Sequence, residues 1–230
     1  MHIPDGFLNA GTSIPLIGVA VTFIAISFKK IRQQFFVREK VNKLATPEGA
    51  EFCTSSLNKL SKYGQDKIYK MAIVGSFIFA AQMVNFPIAH GTSGHLLGGV
   101  LAAILLGPWA GLLTISIILL VQSMLFADGG LMALGANIVN MGIIGTIGGY
   151  YIYKFIKKYL KYNLISVFIA AFCSVILAAT ACSLELALSG TENLGSSLGS
   201  MISIHALIGL SEGIITIMVL YFMKFKNKKE

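Results

Sequence analysis

Seven long apolar segments dominate the sequence and limit what it can fold into. They cover approximately residues 11–28, 70–89, 95–107, 109–126, 131–153, 163–188 and 201–223. At 1.5 Å per residue, helices of most of these lengths cross a hydrocarbon core of about 30 Å. The third segment is short and ends before Pro108, which is well placed to begin the next helix. The pattern predicts an all-α membrane protein, a polytopic bundle of about seven transmembrane helices forming a single domain over residues 1–230.

The overall composition is also typical of a membrane protein. Hydrophobic residues make up 55% of the chain and charged residues only 12%, whereas about a quarter of a soluble domain is charged. This excludes a disordered chain, a nucleic-acid-binding module and a secreted disulfide scaffold. Cys53 lies in a polar stretch, while Cys173 and Cys182 fall on opposite faces of one helix, where we expect inert thiols.

The positions of the basic residues predict the orientation of the bundle. All 18 lysines and arginines lie in three stretches, which are residues 29–70, 154–161 and 224–229. Under the positive-inside rule, the N-terminus is then outside and the C-terminus cytoplasmic, in the plasma membrane of a prokaryote. Residues 29–69 are expected to form a cytoplasmic loop with short surface helices, and the basic residues offer contacts to anionic headgroups of the lipid bilayer.

Histidines are the clearest candidates for chemistry. His2, His90 and His95 fall at the end predicted to be external, near Asp5 and Asp128, and the sequence has no lysine or arginine there. Imidazole and carboxylate groups without neighbouring cations favour a metal cation over an anion as ligand. The sequence therefore predicts an extracytoplasmic metal site.

His2 has a special position because it follows the α-amine of Met1. The amine, the His2 backbone nitrogen and His2 Nδ1 close two fused chelate rings on one metal ion, and a second histidine completes a plane of nitrogens. Such ligands suit Ni²⁺ or Cu²⁺, and Co²⁺ in some states. The chelate requires Met1 to be the true N-terminus. Bulky His2 favours this, since methionine removal generally needs a small second residue.

Four motifs then resemble a known family. They are MHIPDGFL, NFPIAHGTSGHLLGG, LLGPWAG and ADGGLMALGANIVNMG, in this order along the chain. Together they resemble the cobalt/nickel substrate-capture membrane component (CbiM/NikM type) of energy-coupling-factor ABC transporters, over nearly all of the chain except residues 29–69. The resemblance implies a seven-helix bundle that is not an enzyme and that takes up Co²⁺ or Ni²⁺ as substrate, without a permanently bound cofactor.

The resemblance also implies a ligand set and partners. The metal ligands carry over to the Met1 amine, the His2 backbone nitrogen and imidazole, and His95. The implied partners are a transmembrane coupling subunit, ATP-binding cassette subunits that hydrolyse ATP, and a small accessory membrane subunit. Whether the metal is cobalt or nickel stays open at this point.

The other polar residues near the predicted site have alternative interpretations. His90 has three alternative interpretations: a solvated loop histidine, an additional metal ligand, or a residue that captures metal at the entrance to the site. Asp5 and Asp128 are either turn residues or groups that orient the ligands. Asn85 and Asn137 either bond between helices or support the site.

Among the polar residues inside the apolar segments, Glu185, His205 and Glu212 are further candidates. His205 and Glu212 are seven residues apart and share a helical face. An intramembrane acid is by default a functional candidate, but a structural or partner-facing role is favoured here. An alternative function, a proton-coupled secondary metal transporter using these three residues, is disfavoured because no inverted repeat is visible.

Overall fold

The computed structural model describes residues 1–41, 55–87, 93–160 and 163–226, and most of these are helical. We number the helices of this part of the chain α1 (Ala10–Phe35), α2 (Lys62–Gln82), α3 (Gly99–Leu106), α4 (Pro108–Leu125), α5 (residues 134–160), α6 (Asn163–Leu188) and α7 (Leu194–Lys226). Two antiparallel strand pairs accompany them: β1 (Phe36–Val41) with β2 (Ser55–Leu60), and β3 (Phe86–Pro87) with β4 (Ser93–Gly94). The mostly helical architecture is therefore confirmed.

Four helices in the described ranges are long and apolar enough to cross a membrane: Ala10–Phe35, Pro108–Leu125, Asn163–Leu188 and Leu194–Met223. Helix α3 has only 8 residues, about 12 Å at 1.5 Å per residue, and is buried among its neighbours. Pro108 is the first residue of α4, as predicted. The helical membrane character of the chain is thus supported, while seven crossings and the outward N-terminus stay predictions.

The polar stretch predicted at residues 29–69 is organised differently from the expectation. Helix α1 continues to Phe35 and α2 begins at Lys62, so both helices extend beyond their apolar segments. Long basic side chains permit this, because their stems cover apolar surface while their charges stay in water. Between the helices, β1 and β2 pair with Phe36 opposite Leu60, and residues 36–41 and 55–60 are strands where short helices were expected. Cys53 lies outside the described residues.

Close backbone contacts hold the centre of the bundle together. Helix α5 is α-helical over Leu134–Asn137 and Gly149–Leu160 and widens into a π-helix over Ile138–Gly148. Gly99 of α3 packs directly on this wide region, since a Cβ at Gly99 would lie 2.5 Å from the Gly145 carbonyl carbon. Small residues therefore let the helix backbones approach each other, as is common in membranes.

The two ends of the bundle differ in character. At one end, which we call the site end, Thr191 Oγ1 donates to Phe7 O at 2.5 Å, and Asn9 Nδ2 donates to Ser189 O at 3.2 Å. At the opposite end, the Lys30 ammonium lies 3.8 Å above the centre of the Trp109 ring. The basic residues of α1, α2 and α5 lie toward this second end, which leaves the site end with acids and histidines.

Candidate metal site

The first three residues of the chain lie inside the bundle. Met1 and Ile3 are 0% exposed and His2 is 3% exposed. Asn137 of α5 holds this segment with two hydrogen bonds: its Oδ1 accepts from Ile3 N at 2.9 Å, and its Nδ2 donates to Ile3 O at 3.2 Å. Gly130 N also donates to Ile3 O at 2.9 Å. Hydrogen bonds to both the N–H and the C=O of Ile3 therefore fix the start of the chain.

Asp5 locks the N-terminal turn to the turn that follows α4. Its carboxylate accepts from Leu131 N at 3.1 Å and from Met132 N at 2.7 Å. Gly130 is required beside it, because a Cβ there would overlap the Asp5 carboxylate and backbone nitrogen. Both interpretations of Asp5 thus fit the structure: it is a turn residue, and its turn carries His2 into the bundle.

His2 and His95 face each other across this buried space. Their ring centroids are 4.5 Å apart and their planes are inclined by 35°. His95 Nδ1 lies 2.7 Å from Leu96 O, so Nδ1 carries the proton and the lone pair is on Nε2. Within the described part of the chain, Nε2 of each ring is buried and has no hydrogen-bond partner. On His95 this nitrogen carries a lone pair, and a buried lone pair without a donor is suited to a metal ion.

Asp128 and Gly129 border the His2 ring. Asp128 Oδ2 lies 3.7 Å from His2 Nε2 and accepts from Asn85 Nδ2 at 3.4 Å. This places an acceptor near Nε2, which favours the tautomer with a lone pair on Nδ1. Gly129 adopts a φ of +87°, and a Cβ at this residue would lie 2.7 Å from His2 Nδ1. The glycine therefore keeps space open beside the nitrogen that the chelate would use.

Burial keeps the nitrogen groups of the site neutral. It lowers the pKa of the Met1 amine from 8.0 to about 6, an effect that nearby Cys182 and Asp128 partly oppose. Burial and the adjacent amine lower the pKa of His2 to about 3. The pKa of His95 is well below its ordinary value because of burial and because the amine, His2 and His205 disfavour another positive charge. At neutral pH these lone pairs are available to a metal ion without loss of a side-chain proton.

Side chains alone do not form a metal site in the part of the chain that is described. No cluster of three or more histidine, cysteine, aspartate or glutamate residues with suitable geometry occurs there. A site between His2 and His95 therefore needs main-chain nitrogen donors as well, which is what the chelate at the N-terminus supplies. His90 lies outside the described residues.

The intramembrane acids are engaged in hydrogen bonds away from the two imidazole rings. Glu212 is 2% exposed, and its carboxylate accepts from Leu97 N at 2.6 Å and from Gly98 N at 2.9 Å. It thereby caps the start of α3, where exposed N–H groups favour a negative charge, and it fixes the segment that carries His95. Glu185 accepts from Asn140 Nδ2 at 2.6 Å. These bonds agree with the structural interpretation of both acids.

Sequence reasoning missed Gln82, a residue that shapes the site. Gln82 is fully buried in α2, and its Nε2 donates to Leu97 O at 2.7 Å, on the segment that Glu212 also binds. A polar amide inside an apolar segment was the available signal for Gln82.

Comparison with known proteins identifies the family. Residues 49–229 match the CbiM family model, described as "Cobalt uptake substrate-specific transmembrane region". The chain belongs to this family. His95 lies within the matched residues, while Met1 and His2 precede them. The resemblance seen in the sequence motifs is therefore confirmed.

Individual proteins similar to this chain agree with its assignment to the CbiM family. The chain is 36% identical over 218 residues to the putative fused nickel transport protein NikMN of Archaeoglobus fulgidus, covering 94% of the chain but only 63% of that longer protein. It is 31% identical to the cobalt transport protein CbiM of Thermosipho melanesiensis, covering 100% of the chain and 89% of the relative. The crystal structure of a truncated transition metal transporter superposes with a TM-score of 0.82 at 28% identity, covering 98% and 99% of the two chains.

Proposed function

We propose that the chain captures Co²⁺ or Ni²⁺ outside the cell as the substrate-specific component of an ATP-driven energy-coupling-factor transporter. The observation that carries the proposal is the buried amine of Met1 beside His2 and His95, with a lone pair on His95 Nε2 that lacks a donor. Membership of the CbiM family and the names of the relatives support the metal as substrate.

The proposed ligands are four nitrogens. The Met1 amine, the deprotonated His2 amide and His2 Nδ1 close a five-membered and a six-membered ring on the ion, and His95 Nε2 takes the fourth place. Together they replace the hydration shell in one plane, an arrangement that suits Ni²⁺ and also accommodates Co²⁺. Asn137, Asp5 and Gly130 hold the chelating segment in place, so little ordering remains to be done when the ion enters.

Energy for transport is proposed to come from partner subunits. The sequence contains no glycine-lysine nucleotide-binding motif, and the family resemblance implies a transmembrane coupling subunit, ATP-binding subunits and a small accessory membrane subunit. We expect ATP-dependent metal uptake into vesicles only when these partners are present. Uptake by the chain alone, driven by a proton gradient, would contradict this part of the proposal.

The proton-coupled alternative is not supported by the geometry of its three residues. Glu212 accepts hydrogen bonds from the backbone N–H groups of Leu97 and Gly98, and Glu185 accepts one from the Asn140 side chain. Carboxylates in these positions fix the bundle, and a proton on either would weaken those bonds by removing the negative charge. The structural role is the simpler account of both acids.

Anomalous scattering tests the metal site directly. Crystals of the full chain loaded with Co²⁺ or Ni²⁺, measured at each absorption edge, should show a peak between the Met1 nitrogen, His2 and His95. Crystals of His2→Ala under the same loading should show no peak there. A peak elsewhere, or an equal peak in His2→Ala, would refute the proposed ligand set.

We predict a break in the pH dependence of metal binding near pH 6. Above this pH the amine is already neutral, so binding releases only the amide proton. Metal affinity then rises about tenfold for each unit of increase in pH. Below it, the amine must also lose a proton, since its pKa is about 6, and the dependence steepens to about a hundredfold per pH unit. Calorimetry between pH 5 and 9 measures this slope. A break near pH 8 would indicate an amine in contact with water.

We predict that Gly129→Ala weakens metal binding by about tenfold or more, as expected when a group bordering a metal ligand is disturbed. The new Cβ would lie 2.7 Å from His2 Nδ1 and displace the ring. Gly190→Ala is the matched control, because Gly190 also has a positive φ, +72°, but nothing lies within 4 Å of its Cβ position. Both variants have a similar backbone strain of about 1–2 kcal/mol. Equal metal affinity in the two variants would show that the space beside Nδ1 is unimportant.

The orientation of the chain makes a further prediction. A green fluorescent protein fused after Glu230 is expected to fluoresce, because the basic C-terminal segment should be cytoplasmic. Alkaline phosphatase fused at the same place should be inactive. Active phosphatase with a dark fluorescent fusion would place the C-terminus outside and reverse the proposed direction of capture.

A further inference from the structure

A large cleft lies between α1, α2 and α4, away from the proposed metal site. Its volume is about 1440 Å³, larger than the roughly 300–1,000 Å³ of pockets for drug-sized ligands. Its walls are mostly apolar and include Phe28, Phe79 and Ile117. Phe28 and Ile117 are 59% and 56% exposed, so the cleft opens on the outer surface of the bundle. Thr114 in its wall donates its hydroxyl to Ala110 O and is not free for a ligand. The cleft therefore suits a long apolar ligand.

The length of the cleft matches one leaflet of a bilayer. It begins near the end opposite the site end, where α2 and α4 start, and runs toward the middle of the bundle. Along α2 it extends from Ile68 to Phe79, and along α4 from Leu113 to Val121. At 1.5 Å per residue these stretches are about 12–16 Å long, close to half of a hydrocarbon core of about 30 Å. The acyl chains of one leaflet have this reach.

Two positive charges line the part of the cleft that α1 contributes. Lys29 and Arg32 are both exposed, and no aspartate or glutamate is among the described residues that line the cleft. In the described ranges neither residue forms an ion pair, whereas their neighbour Lys30 lies over the Trp109 ring. Tryptophan and lysine are typical of the membrane–water interface, and long basic side chains reach the headgroups from a helix end. Lys29 and Arg32 are thus placed to bind an anionic headgroup.

Two simpler occupants would match only part of the cleft. A small soluble anion would bind Lys29 and Arg32 but leave the apolar walls without contacts. An uncharged transmembrane helix would cover the walls but leave the two cations without a negative partner, against the charge complementarity that specific interfaces show. A long apolar ligand with a negative group at one end matches both the walls and the charges.

We propose that this cleft binds one anionic phospholipid, with its acyl chains against α2 and α4 and its phosphate between Lys29 and Arg32. The site lies toward the end of the bundle opposite His2 and His95. The inference is therefore independent of the proposed metal site, and its failure would leave that site untouched.

Native mass spectrometry of the full chain tests the proposal. The protein is purified in mild detergent with equal amounts of phosphatidylglycerol and phosphatidylethanolamine that carry the same acyl chains, and we expect it to retain one phosphatidylglycerol. Lys29→Gln/Arg32→Gln should bind this lipid about thirtyfold more weakly, as expected when two basic residues near an anionic headgroup are lost. Lys62→Gln/Lys70→Gln removes the same charge from exposed positions of α2 outside the cleft and should bind like the parent protein.

A second pair of variants tests the apolar part of the cleft with both charges intact. Ala72→Trp fills the α2 wall and should weaken phosphatidylglycerol binding by excluding the acyl chains. Ala80→Trp, an exposed change on the same helix outside the cleft, should have no effect. Thermal unfolding in detergent checks that each variant is folded. If Ala72→Trp is not, Ser76→Leu narrows the same wall with a smaller side chain and should also weaken binding.

Three results would overturn the proposal. One is equal retention of the two lipids by the parent protein. Another is unchanged phosphatidylglycerol binding in folded variants of Lys29 and Arg32 or of the α2 wall. The third is a photoreactive residue at Ser76 that cross-links to protein and not to phospholipid in native membranes, which would assign the cleft to a protein interface.

Discussion

Adding two alanines before Met1 is expected to reduce the affinity for Co²⁺ and Ni²⁺ by at least about a thousandfold, or ~4 kcal/mol of binding free energy. The added residues turn the Met1 amine into an amide, so the five-membered chelate ring that includes this nitrogen cannot form. Two residues are added because a histidine in third place would itself form a planar nitrogen chelate with Ni²⁺. The extended chain also has no room, since Met1 and Ile3 are fully buried. A new start codon and two alanine codons placed before the Met1 codon produce this protein, because the new methionine is removed before a small residue, and intact mass confirms the product.

The matched control adds the same two alanines after Glu230. It changes the mass and length equally and leaves the amine where it is. Calorimetry with both ions, and thermal unfolding in detergent, should then separate loss of the chelate from loss of the fold. Unchanged metal affinity in the protein extended at Met1 would remove the basis of the proposed function.

Replacement of His95 by alanine is the second change with a large expected effect. It removes the proposed ligand that comes from another part of the chain. We therefore expect metal affinity to fall about a hundredfold or more, at ~1.4 kcal/mol of binding free energy for each factor of ten. The local fold should persist, because Glu212 and Gln82 hold the backbone of Leu97 and Gly98, not the His95 ring. The remaining N-terminal chelate explains why binding is weakened and not abolished.

Ser123→Ala serves as the control for this variant. Ser123 lies near the site end of α4, and its hydroxyl bonds to Leu120 O within its own helix. Its metal affinity should equal that of the parent protein. If His95→Ala binds both ions as tightly as Ser123→Ala does, the fourth ligand has been assigned to the wrong residue.

The helical architecture could be predicted from the sequence because apolar runs in a membrane leave few alternatives to a helix. Helix α6 begins at Asn163, at the edge of its predicted segment, and Pro108 begins α4 as expected. The ends of helices flanked by basic residues were harder to predict. Helices α1 and α2 extend beyond their apolar segments, because long basic side chains are tolerated there. The π-helical region of α5 could not be predicted, because its widening depends on the helices packed around it.

The proposed ligands and several possible supporting residues could be named from the sequence, but the bonds that the supporting residues make could not. The position of His2 after the amine defines a chelate by bond connectivity alone, and family resemblance indicated His95. The bonds from Asn137 to Ile3 join residues far apart in sequence and depend on how α5 sits against the N-terminal segment. The same applies to Glu212 and the backbone of Leu97. No periodicity or motif in one sequence carries that information.

The burial of Met1 imposes an order on the biogenesis of the protein. The N-terminal segment can take its final place only after Asn137 and Thr191, which hold it, have been synthesised. Met1 can therefore become buried only once that part of the bundle has formed. A newly made chain would lack the proposed metal site until its assembly is complete.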